Sequence, residues 1–301
     1  MESYAGELAA LSTAVLWSAT AVFFTLAGRE VGSVVVNRAR LLVALAFLLI
    51  THWLIFGQPL PLGADPARWG WLSLSGVIGL VLGDSFLFQA YIWVGPRLGM
   101  LMMSLAPVLS AMLAFAFLGE SLVARQWIAI MMTVGGIAAV VLDRDRPVVD
   151  GAKSRDYGRG ILFGVGAAAG QATGLVLAKQ GLDGGFPALS GNVMRMTAAV
   201  LFIWGFTFLI GRAGGTIRTL RERRAAWLPI LGGAATGPFL GVWLSLIAVQ
   251  LTQVGIASTL MSLSPILLLP IGHLFFKEKI GRQAIAGTVV AIVGVGLLFV
   301  G

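Results

Sequence analysis

Residues 103–107 read Met103-Ser104-Leu105-Ala106-Pro107, and 158 positions later the phrase returns as Met261-Ser262-Leu263-Ser264-Pro265. The same offset carries Glu120 to Glu278, each thirteen residues after its proline, and Gly79 and Gly83 to Gly237 and Gly241. Separate landmarks sharing one spacing mark a duplicated unit, and a repeat decides architecture before any motif does. A slightly shifted offset of 155 sends Asn37 and Arg40 to Asn192 and Arg195, again as Asn-x-x-Arg. The halves are predicted as residues 1–142 and 158–301, joined by a charged connecting stretch at 143–157.

Working outward, the composition names the solvent of the repeats. Of 301 residues 58% are hydrophobic and 11% charged, with a mean hydropathy of +0.92. A soluble domain carries about 25% charged residues, so this chain in water would expose very large apolar patches. A soluble enzyme is excluded. The apolar runs are unbroken for about twenty residues rather than alternating over about ten, which excludes a membrane barrel and predicts helices. Forty glycines suit close helix packing in lipid. With no cysteine there is no disulfide or thiolate nucleophile. The net charge of +8 comes from basic residues in short loops, so it speaks for membrane topology rather than for nucleic acid.

Ten spans are predicted, at 5–27, 33–56, 70–93, 97–118, 124–142, 159–180, 186–210, 227–249, 254–276 and 282–300. Glu7 and the lack of a basic leader argue for a retained first helix. Each half has five spans, so the second copy enters the bilayer from the opposite side. The expected fold is all-α, a polytopic membrane protein of ten transmembrane helices in two inverted five-helix repeats. Two such halves can exchange conformations and expose a central site to each side in turn. Loops on the side away from the termini hold 15 Lys and Arg, whereas the terminal side holds only Arg68, Arg125 and Lys179. Positive residues mark cytoplasmic loops, which predicts both termini on the non-cytoplasmic side.

The five-helix repeat, Leu16-Trp17-Ser18 in the first span, an arginine in the second helix of each half, and the prolines that precede Gly119-Glu120 and Lys277-Glu278 together resemble the drug/metabolite transporter superfamily, in particular its EamA-type members. Within that family the chain is most similar to bacterial amino-acid exporters. The resemblance implies export of amino acids and related metabolites across the inner membrane. It also implies that spans one, three, four, six, eight and nine surround the cavity. A lipid or lipid-linked sugar flippase of the same helical plan is the alternative. An intramembrane enzyme is disfavoured, because no Gly-x-Ser-x-Gly, His-Glu-x-x-His or phosphate-binding glycine loop is present.

Asp84 is the only acidic residue near the middle of a span, and an intramembrane charge is a functional candidate. Helix rise places it roughly 13 Å, and Arg40 roughly 10 Å, from the same face, so the two are expected to pair. Its repeat counterpart is Val242. The candidate substrate-binding residues are Trp17, Ser18, Asp84, Tyr91, Met103, Ser104, Gln171, Trp243, Ser258 and Ser262. Arg40, Arg195, Gly83, Pro107, Gly241 and Pro265 are assigned structural or coupling roles. The glycines allow close helix approach and the prolines bend helices. His273 is a lone histidine near a helix end, more simply structural than functional. No cofactor or metal site is expected. The expected partners are a small-molecule substrate and membrane lipid, not nucleic acid, with the chain a monomer or homodimer.

Overall fold

The computed structural model describes residues 4–142, 154–267 and 281–299. Side chains at 91, 92, 95–98, 100, 101 and 154–157 are also outside the description. Pro270, His273, Lys277, Glu278, the Tyr91 side chain and most of the connecting stretch therefore lie outside the described residues.

Among the described residues, eight helices are long and apolar enough to cross a bilayer. They are α1 (Ala5–Val31), α2 (Ser33–Phe56), α3 (Pro66–Ala90), α5 (Ala124–Leu142), α6 (Gly158–Gly185), α7 (Ala188–Leu209), α8 (Arg224–Leu251) and α10 (Arg282–Phe299). Two shorter apolar helices fill the sequence-predicted fourth and ninth places, α4 (Ala106–Leu118) and α9 (Val254–Leu267). The protein is all-α and polytopic. Gly119, at φ 68°, stops α4 in the left-handed conformation that a side chain would strain.

Helical backbone continues from Asp84 to Met103, across the expected turn between the third and fourth spans. The chain nevertheless reverses there. A Cβ placed on Gly164 would touch both Met102 and Ala90, yet twelve residues of straight helix would separate those two by roughly 18 Å.

The duplication is visible as distorted backbone. Widened π-helical turns occupy Val77–Gly83 in α3 and Ala235–Gly241 in α8, which are related by the sequence offset of 158. Two non-helical residues, Ser104 and Leu105, precede α4, and their counterparts Ser262 and Leu263 interrupt α9 at the same offset. Pro107 therefore sits in the first turn of a restarted helix, where its missing N–H costs nothing. The sequence reading expected a bend here, and the bend falls at the break just before the proline.

Lipid offers helices no hydrophobic reason to associate, so contacts depend on close backbone approach and polar links. The glycine ridge of α3 meets a second ridge on α6. A Cβ on Gly170 would lie 2.9 Å from Gly83 Cα, and one on Gly174 would lie 3.0 Å from Gly79 Cα. The ridge of α8 mirrors this against α1, where Gly237 faces Thr20 and Gly241 faces Trp17. The fifth helices of the halves join likewise, with Gly136 against Gly287 and Ala291. Tyr4 stacks beside Phe299 at 5.6 Å, which puts both ends of the described chain on one face. We call this the terminal face.

Candidate functional site

Two polar layers are built from these helices. The deeper one centres on Arg40 of α2, whose guanidinium makes an ion pair with Asp84 at the end of the first widened turn. The side chains are 11% and 22% exposed. Arg40 also donates from Nε to Asn37 Oδ1 at 2.8 Å and lies over the rings of Phe24 and Phe88 at 5.4 and 5.8 Å. The charge is thus held by an acid, an amide and two π faces, which together offset much of its desolvation. Sequence depth alone had put these two residues at one level.

Arg195 is the repeat counterpart of Arg40, and its surroundings differ. It is buried on α7, and among the described residues its Nε and Nη1 lack any hydrogen-bond partner. Its Nη2 points toward Gly79 on α3, and Asp84 attracts it across a longer distance. Asn192, the counterpart of Asn37, turns away. Its Nδ2 donates to the carbonyls of Pro238 and Phe239 at 3.2 and 3.1 Å, inside the second widened turn. Such turns leave carbonyls without helical partners, and in lipid a side chain must satisfy them.

The second layer closes the terminal face. Glu7 at the start of α1 accepts from Thr252 Oγ1 at 2.8 Å, and Lys179 near the end of α6 donates to the Thr252 carbonyl at 2.8 Å. Lys179 Nζ lies 2.5 Å from Glu120 Oε1, an ionic contact without the alignment of a hydrogen bond. Glu120 Oε2 accepts the Val254 N–H at 2.8 Å, and Gln253 donates to the Ser121 carbonyl at 3.0 Å. Glu7, Glu120 and Ser121 come from the first half, and the other members from the second. The network also fixes orientation. Helices α1 and α6 open their respective halves, yet the start of one and the end of the other share this face, so the halves are inverted. A polar cavity of about 890 Å³ lies here, walled in part by Glu7, Glu120, Lys179, Gln250, Thr252 and Gln253.

The remaining predicted residues fall between the layers or join helices. Ser18 Oγ donates to Ala14 O at 2.7 Å and Ser264 O at 3.1 Å, tying α1 to α9. Ser258 meets Ser110 Oγ at 3.3 Å across the α4–α9 contact, and Ser262 donates to the Thr259 carbonyl at 2.7 Å. Trp17 packs on Gly241, Gln171 follows the Gly170–Gly83 contact, and Trp243 stacks near Phe239 at 6.2 Å. Met103 is half-buried and Ser104 buried at the first helix break, while Pro265 follows the second. Sequence reasoning treated Glu7, Glu120 and Lys179 as a leader test, a repeat marker and a loop charge. Their shared position beside helix ends was the available signal.

The family model for EamA-like transporters matches this sequence twice, over residues 4–142 and 158–300. The chain belongs to the EamA-like transporter family. A solved crystal structure overlays on 98% of this EamA-like chain and 96% of its own length, with a TM-score of 0.79. The two are 16% identical, so the likeness is one of fold. In all, 28 solved chains share it. No curated protein matches the sequence. The charged layer, the cross-half network and the widened turns thus belong to a membrane transporter.

Proposed function

We propose that this protein is a secondary transporter that exports small metabolites, amino acids in particular, across the bacterial inner membrane by alternating access. The observation that carries the reading is the Arg40–Asp84 ion pair at bilayer depth, beneath a face closed by polar contacts between inverted halves. Both signs of charge at the middle of the membrane suit a zwitterionic solute, and discontinuous helices around them are the usual site of substrate contact in transporters of this kind. The polar network supplies contacts that one conformational state makes and the other breaks. The excess of Lys and Arg in the loops away from the termini supports an outward-facing terminal face. The chain carries no catalytic assignment in this reading and works as a monomer or homodimer.

One feature favours a second reading, a lipid or lipid-linked sugar flippase. An apolar groove of about 770 Å³ lies along α2, α7 and α8, lined by Leu42, Val43, Trp204 and Trp227 and edged by Arg221 and Arg224. Such a groove suits an acyl chain.

Proteoliposomes loaded with labelled amino acids test both readings. Efflux above empty-vesicle controls that falls in the Asp84→Asn variant supports export. Movement of labelled lipid between leaflets without amino-acid efflux replaces export with flipping, and neither movement refutes both.

A further inference from the structure

The two halves place an arginine at matching depth, about seven residues into α2 and into α7, so each lies roughly 10 Å below its own face. Arg40 has an acid. Position 242, which corresponds to Asp84, is valine. Arg195 is 3% exposed, and among the described residues two of its guanidinium nitrogens have no hydrogen-bond partner and the amide oxygen of Asn192 is also unused. An unpaired guanidinium taken out of water is costly to the fold. The longer-range attraction of Asp84, which Arg40 already engages, offsets only part of that cost.

The location matters as much as the charge. Arg195 Nη2 approaches Gly79, a residue without a side chain, between the Arg40–Asp84 pair and the network of Lys179 and Glu120. Two cations and one acid leave this part of the bundle with a surplus positive charge. A guanidinium offers planar N–H donors that match the two oxygens of a carboxylate.

Resting on the transporter reading, we infer that Arg195 is the anchor for the carboxylate of the transported solute, which takes the place of the acid that the second half lacks. Its substrates are then small organic acids with a free carboxylate. For an α-amino acid, Asp84 faces the ammonium end. Uncharged amides and esters of the same skeleton lack the group that the site is built to neutralise.

The test uses the full chain in lipid nanodiscs. Binding of each proteinogenic amino acid is read as protection against thermal unfolding, and each binder is compared with its carboxamide. Acids are expected to raise the melting temperature, carboxamides at equal concentration not to, and affinity to fall at least about tenfold in Arg195→Gln, the loss of one charge-assisted interaction. Arg195→Lys should restore part of it. Without ligand, Arg195→Gln should melt no lower than the parent, because it removes an unpaired charge. A lower melting temperature with unchanged affinity would make Arg195 structural and overturn the assignment. Equal protection by acids and carboxamides, or by none of the acids, also overturns it. Export of non-carboxylate solutes from proteoliposomes would keep the transporter reading while sinking this one.

Discussion

If the terminal-face network is a gate, weakening it should expose the residues beneath it. Ser258 is a suitable reporter, because it is 4% exposed and lies one helical turn below Val254 on α9. The chain has no cysteine, so Ser258→Cys creates a single labelling site. Glu120 is the member to perturb, since it joins Lys179 ionically and accepts the Val254 N–H. A hydrogen bond to a charged group contributes about 1.5–3 kcal/mol. Glu120→Gln keeps an acceptor but loses the charge, and Lys179 is one-quarter exposed, so we expect a net loss of about 2 kcal/mol from the closed state. That raises the open population roughly thirtyfold. The assay is the rate at which a membrane-impermeant maleimide modifies the introduced thiol from the terminal side, compared between Ser258→Cys alone and Ser258→Cys combined with Glu120→Gln. Rates within about twofold of each other would refute the gate.

Other outcomes follow from the same structure. Asp84→Asn should lower stability by about 2–3 kcal/mol, less than a fully buried pair because Asp84 keeps some solvent contact. The double variant Arg40→Gln with Asp84→Asn should recover part of that loss in a melting experiment, whereas simple additivity would contradict the pairing. Gly170→Val should push α6 from α3, at about 1–3 kcal/mol or with loss of the folded protein on size exclusion. Gly28→Ala, which meets no neighbour, is the matched control. A reporter fused after Gly301 that requires the cytosol should be inactive, and activity there would reverse the proposed orientation.

The repeat was legible because it is written in residue identity, in the two Met-Ser-Leu phrases and the paired glycines. The ion pair was legible because helix rise converts residue number into depth. The network around Lys179 was not, because it depends on three helix ends meeting and on backbone groups such as the Val254 N–H, which no side-chain pattern announces. The widened turns at 77–83 and 235–241 were hidden too. Their glycines suggested close packing, but one extra residue in a turn has no signature of its own. Asn192 illustrates the limit. Its motif equals that of Asn37, yet its amide serves the Pro238 and Phe239 carbonyls instead of the neighbouring arginine.

The Glu120 clamp on the Val254 backbone N–H has a consequence for timing. Moving Val254 back by the repeat offset gives Pro96, and proline carries no amide hydrogen to donate. By sequence, a mirrored clamp with Glu278 in the role of Glu120 would find no amide hydrogen at position 96 to hold. If the terminal face is the outer one and its network a gate, two latches of unequal strength would bias an otherwise palindromic machine, so that an unloaded carrier would dwell with its outer door shut and wait for cargo on the cytosolic side.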